Sequence, residues 1–262
     1  MSARSRLKLP REHGAWAMLF VPMALGFSVA GTFNVASLLL IVSATLFFIS
    51  RESLVVWLRA RARGRDAREA KRLLLIYLSA ATIFGAPLLL HYRLFALAPL
   101  AISAIAVALI NTKTSRLAQR TALGESLAIA GLTITAPAAF YAATGKWSGV
   151  AWLLWALCAI YFASSIYYVK LRVADVHARD AAERIAARRH CAVYHFLMLG
   201  LLAALAFTGN LQWLALAAFG PVLFRSFAEL ARPASKLNLK RAGFLEILYS
   251  LVFLVFITLN FH

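Results

Sequence analysis

A few charged and hydrogen-bonding side chains interrupt the apolar runs of this chain, and chemistry has to reside in them. The run Pro10-Arg11-Glu12-His13-Gly14-Ala15-Trp16-Ala17-Met18 puts an acid, an arginine, a histidine and an indole at the mouth of a segment without charge from Ala15 to Ala30. Further in stand Arg51 with Glu52, Asn111, Glu125, the group Tyr167, Tyr168, Lys170 and Arg172, the pair Arg225 and Glu229, and Glu246. A charge in mid-membrane costs on the order of 2.5–3.5 kcal/mol on insertion scales, so one that persists there faces a cavity or a partner. Arginine and lysine suit direct recognition of phosphate oxygens, and a carboxylate among them suits proton abstraction. The catalytic candidates are therefore Glu52 and Glu125. The substrate-binding candidates are Arg11, Glu12, His13, Arg51, Asn111, Tyr168, Lys170, Arg172 and Glu246.

Some of these residues have plainer explanations. Arg225 and Glu229 are four apart and could form a self-contained helical ion pair. Arg172, Asp175, Arg179, Asp180 and Arg184 fit interfacial side chains reaching to water as well as they fit a pocket. Arg51 and Glu52 are neighbours about 100° apart on a helix, which predicts separate partners on other helices. Glu125 follows Gly124 and has no cation three or four places on, which predicts an inter-helix partner or a ligand.

No metal site is expected. His190, Cys191 and His195 do not share one helical face, no H-E-x-x-H arrangement occurs, and two cysteines, Cys158 and Cys191, support neither a disulfide framework nor a metal cage. The chain also has no Gly-rich phosphate loop and no G-x-S-x-G elbow.

The elements that must hold these residues follow from composition. Of 262 residues, 62% are hydrophobic and only 15% charged, which predicts an all-α, polytopic membrane protein forming a single integral domain over residues 1–262. A net charge of +18 would suit nucleic acid if the cations shared one water-facing domain, but they come in short bursts between apolar runs, so no nucleic-acid partner is expected. Spanning segments are predicted at about 13–32, 35–58, 73–90, 94–111, 121–143, 148–169, 191–208, 211–230 and 242–261, nine in all. Lys and Arg number 4 before the first, then 8, 3, 6 and 5 at alternate connections, with Arg51 and Arg225 of the adjoining spans counted in, against 2 on the other side, Arg93 and Lys146. That asymmetry predicts a cytoplasmic N-terminus in a bacterial inner membrane and a first segment that spans rather than a cleaved leader. Prolines 22, 87, 99, 137 and 221 fall inside spans and predict kinks, hence cavities, and the Ala-, Gly- and Thr-rich fifth span should pack in the bundle interior. By this topology the charged candidates all gather toward the cytoplasmic side, as at the mouth of one pocket.

The run Arg11 to Met18, the segment Tyr167-Tyr168-Val169-Lys170 and the stretch Lys240-Arg241-Ala242-Gly243-Phe244-Leu245-Glu246 resemble the bacterial YwiC-like family of membrane proteins, for which no established activity carries over. More distantly, residues 113–180, with Leu123-Gly124, the Thr144-Gly145-Lys146 hairpin and Tyr168, resemble the UbiA superfamily of intramembrane prenyltransferases. That resemblance implies a nine-helix bundle around a cytoplasmic-side cavity and a membrane-lipid or isoprenoid ligand. UbiA members carry Asp-rich motifs that hold Mg²⁺ against a diphosphate. Here the matching regions read Arg51-Glu52-Ser53 and Ser164 to Arg172, with Glu52, Asp175 and Asp180 the remaining acids, so Mg²⁺ is disfavoured and direct binding of an anionic headgroup by Arg and Lys is expected. Three functions stay open: a prenyl or lipid transferase, a transporter or lipid-binding protein, and a non-catalytic assembly subunit.

Overall fold

A computed structural model describes residues 13–114, 122–178, 180–232 and 239–261. Among them are ten helices: α1 His13–Ala30, α2 Val35–Ala62, α3 Arg68–Leu90, α4 Leu97–Thr114, α5 Ala122–Thr133, α6 Thr135–Thr144, α7 Gly149–His177, α8 Ala181–Phe207, α9 Leu214–Ala231 and α10 Leu239–Asn260. Six helical spans, with α5 and α6 counted together, are long and apolar enough to cross a membrane, and α1, α4 and α10 supply three shorter apolar ones. The chain is thus an all-α integral membrane bundle. The nine predicted segments all appear, with the fifth divided in two.

Pro137 explains that division. It has no N–H to give the carbonyl four residues back, that of Thr133, and its ring collides with it. The helix therefore steps at Ile134 and restarts at Thr135, whose hydroxyl donates to the Leu19 carbonyl of α1 at 3.0 Å. The broken helix also lies closest to its neighbours. A Cβ built on Gly26 of α1 would sit 2.3 Å from the Ala136 carbonyl oxygen, and Ala136, Ala139 and Ala142 of α6 are all but inaccessible. Small residues let backbones approach where lipid provides no hydrophobic drive for helices to associate.

The expected spans stop short of the ends of α2 and α7 and start after the beginning of α8. α2 runs to Ala62, α7 to His177, and α8 begins at Ala181, ten residues before the apolar run it belongs to. These extensions are polar and stand past the apolar length. The first turn of α8 is held by Asp180, which accepts the Glu183 amide at 2.7 Å.

Tight turns gather at one end of the bundle. Thr32 and Asn34 both donate to the Ala143 carbonyl, at 3.3 and 3.0 Å, and Asn260 accepts the Gln212 amide at 2.8 Å. Gly31, Gly145 and Gly209 take positive φ at these turns, which glycine tolerates without a Cβ clash. Aromatic edges line this end: Tyr141 against Trp147, Trp147 against Trp152, and Phe207 against Trp213. Such a belt is usual at a membrane interface. The opposite end carries Arg59, Arg61, Arg63, Arg65, Arg184, Arg188 and Arg189, and is called the basic end below.

The main core surrounds the middle of α7. Tyr161 stacks on Phe253 of α10 with centroids 4.1 Å apart and meets Phe219 of α9 edge-on, and all three rings are fully buried. A second cluster of Ala36, Leu88, Leu94, Leu97, Leu100, Ala138 and Ala142 closes the tight-turn end of α2, α3, α4 and α6.

Candidate functional site

Between these two cores α1 to α6 enclose a cavity of about 950 Å³. The second core forms its floor through Leu88, Leu97, Leu100 and Ala138, and its walls are apolar along most of their length. On α2 the lining runs from Leu40 to Arg59, about 28 Å at 1.5 Å per residue, close to the hydrocarbon thickness of a bilayer. Among the described residues, ionised groups line it in the basic half, as Arg51, Glu52, Arg59 and Glu125. Glu125 Oε2 lies 3.3 Å from Lys170 Nζ of α7, and Arg51 Nη1 lies 3.7 Å from Glu52 Oε1. All four of these side chains stay about one-third exposed (31–36%), so the pairs are loose and wet.

Glu125 therefore has the inter-helix partner its isolation in the sequence predicts. Arg51 and Glu52 do not go to separate helices as expected: both side chains are long enough to bend round the helix and meet, at the far limit of an ion pair. Arg59 is a cavity residue that the sequence reading passes over. The signal for it was present, because Arg51, Val55 and Arg59 recur every four residues and so share one face of α2. Arg11 and Glu12 lie outside the described residues, as do the side chains of His13 and Asn111. Gly14 and Ala15, next along α1, do line the cavity.

Tyr168, Arg172 and Glu246 belong to a second polar cluster, among α7, α8, α9 and α10. Arg225 bonds Glu246, which also accepts the Ser165 hydroxyl at 2.9 Å, and the Arg225 guanidinium lies 4.0 Å from the centroid of the Tyr168 ring. Arg172 bonds Glu229 in a buried pair. Arg188 bonds Asp175 at 3.1 Å and donates to the Leu230 and Arg232 carbonyls at 2.6 and 3.1 Å, so it also closes the C-terminal end of α9. The expected Arg225–Glu229 pair is not made, because each residue finds a partner on another helix, Glu246 for Arg225 and Arg172 for Glu229. His195, fully buried, has its Nδ1 2.7 Å from the Cys191 carbonyl of its own helix. Among the described residues no three His, Cys, Asp or Glu side chains converge as a metal site.

The single expected mouth is thus two clusters, and the periodicity of α7 explains why. At 100° per residue, Ser165, Tyr168 and Arg172 share one face, and Ile166 with Lys170 point about 150° away from it. Ile166 and Lys170 look to the cavity, while the other three look to α9 and α10. The acids that the UbiA resemblance singles out are divided too. Glu52 is at the cavity, whereas Asp175 pairs with Arg188 and Asp180 caps α8.

Comparison with known proteins agrees with the opening motif and with the helices that build the cavity. No curated protein and no solved structure matches the chain. The family model described as YwiC-like protein matches residues 9–141, which hold α1 to α5 and nearly all of α6 and are just over half of the 262 residues, so the chain belongs to the YwiC-like family.

Proposed function

We propose that this protein binds an anionic amphiphile, a phospholipid or isoprenoid phosphate, with its chain along the cavity and its headgroup against Arg51 and Arg59. The observation that carries this reading is the cavity's polarity: a corridor whose tight-turn half is apolar for about 16 Å, from Leu40 to Arg51, and whose ionised groups all lie in its basic half. Water-soluble substrates gain nothing from such walls, whereas each buried methylene of a chain contributes about 0.8 kcal/mol. Among the described residues, the headgroup end holds Arg51, Arg59 and Lys170 against Glu52 and Glu125, three positive charges to two negative. The excess favours a phosphate directly and gives Mg²⁺ little attraction. Lys170 joins the headgroup once Glu125 turns away, and Glu125 is then a free carboxylate beside the phosphate, the position a general base needs for transfer chemistry. The architecture this suggests is UbiA-like, with arginines doing what metal-bound carboxylates do in that superfamily. The Lys and Arg asymmetry supports a basic end in the cytoplasm of a bacterial cell, and reporter fusions at residue 65 (cytoplasmic expected) and residue 145 (external expected) measure it.

The test is binding of phosphatidic acid to detergent-solubilised protein, followed by native mass spectrometry with and without EDTA. Arg51→Gln should weaken binding by about 1.5–3 kcal/mol, the worth of a hydrogen bond to a charged group. EDTA should leave it unchanged. Binding that needs Mg²⁺ and ignores Arg51 overturns the charge argument.

A further inference from the structure

The walls of the cavity differ in how well they are sealed. α1 and α2 are bridged by side chains: Trp16 meets the Phe48 ring edge-on at 5.0 Å, and Leu19 and Met23 pack with Phe48 and Ala139. α2 and α3 pack closely, with Ser43 donating to the Ala81 carbonyl at 2.8 Å, and Gly131 of α5 sits against Val107 of α4. α3 and α4, consecutive in the chain, meet through Leu88, Leu97 and Leu100 at the tight-turn end and scarcely touch beyond it, although the cavity lining continues along both. Along this seam the cavity-lining residues that are also exposed are Thr82 on α3 and Ala101 and Ile105 on α4, with Ala104 and Ala108 on the same face of α4. The Thr82 hydroxyl is tied to the Leu78 carbonyl of its own helix at 2.9 Å. Beside this seam Ile83 and Ile102 are about two-thirds exposed, and neither helix carries a charge from 73 to 90 or from 97 to 110.

We infer that the cavity is loaded sideways, from the bilayer through the seam between α3 and α4, so that its ligand is a membrane-resident lipid and not a water-borne phosphate. The inference rests on the proposed binding function and narrows it. A chain crossing this uncharged, apolar seam exchanges one apolar environment for another and meets no desolvation barrier. Its headgroup meanwhile moves along the interface toward Arg59 and Arg51 without entering hydrocarbon, where a charge is costly. A water-borne phosphate would instead have to enter from the basic end and leave most of the corridor empty.

The experiment uses the full chain reconstituted in phosphatidylcholine vesicles, with pyrene-acyl phosphatidic acid delivered from a second vesicle population. Ala101→Trp, which fills the seam, should slow both uptake and release at least tenfold, and Ala106→Trp, off the cavity lining, should change neither. A benzophenone side chain at position 82 should cross-link to the acyl chain. Unchanged uptake by Ala101→Trp, cross-linking at 106 but not at 82, or displacement of the lipid by glycerol phosphate added in water would each overturn lateral loading. Wild-type protein that takes up no phosphatidic acid at all instead defeats the binding function on which the inference rests. Should Ala101→Trp fail to fold, Ala101→Val and the position-82 cross-link read the same route.

Discussion

The cavity and the α7–α10 cluster hold nearly the same charged residue types in opposite states. At the cavity, Arg51, Arg59 and Lys170 face Glu52 and Glu125, the pairs are 3.3 and 3.7 Å long, and the side chains are about one-third exposed. In the other cluster Arg172, Arg188 and Arg225 are matched one to one by Glu229, Asp175 and Glu246, and the Asp175 side chain is 1% exposed. A charge-balanced, largely buried set joins helices and has no net charge to offer a ligand. An unbalanced, wet set stabilises the fold little and keeps cations available. Charge in a membrane protein is therefore read by its partners and its water, not by its presence alone.

The sharpest way to break this contrast is to remove one member of a buried pair. Arg172→Met leaves Glu229 without its cation in an apolar setting and should cost about 3–5 kcal/mol, seen as a fall in thermal midpoint in detergent. The double variant Arg172→Met with Glu229→Leu should recover most of that loss, because the uncompensated charge is then gone. Equal damage by the single and double variants would mean that the pair is not what joins α7 to α9. The Arg51→Gln variant comes next and should behave in the opposite sense, losing phosphatidic acid binding while its thermal midpoint moves by less than a degree or two. The smallest effect is expected for Glu125→Gln. Partly exposed pairs contribute about 0.2–1 kcal/mol, so the fold should barely notice, while Lys170, freed from its carboxylate, should tighten lipid binding by no more than a similar amount. Weaker binding in that variant would show that Glu125 orders the headgroup site and does not compete with it.

The two regions were not equally legible in the sequence. Glu125 stood alone among small residues, and its need for an inter-helix partner could be read directly. Arg225 and Glu229 looked self-sufficient because i, i+4 spacing is the strongest local rule available, yet each pairs across the bundle. The face that α7 turns to each neighbour was equally hidden. In a soluble helix, polarity marks the outer face, but in a membrane the lipid-facing and core-facing sides are both apolar. Fully buried Leu154 and Leu157 and two-thirds-exposed Leu197 are the same residue type in similar runs.

What the amino-acid sequence determined by itself is therefore what depends on length and local chemistry: nine apolar spans, a charge asymmetry between their ends, a kink at Pro137, and close packing along the Ala-, Gly- and Thr-rich fifth span. Only the tertiary structure decided which charges share a chamber. It divided one expected mouth into a cavity and a closed ionic cluster, brought Arg59 to the cavity, and left α3 apart from α4 beyond the tight-turn end. These outcomes depend on how each helix is rotated and spaced against its neighbours, and apolar faces encode that in their shape, which a hydrophobic pattern does not carry.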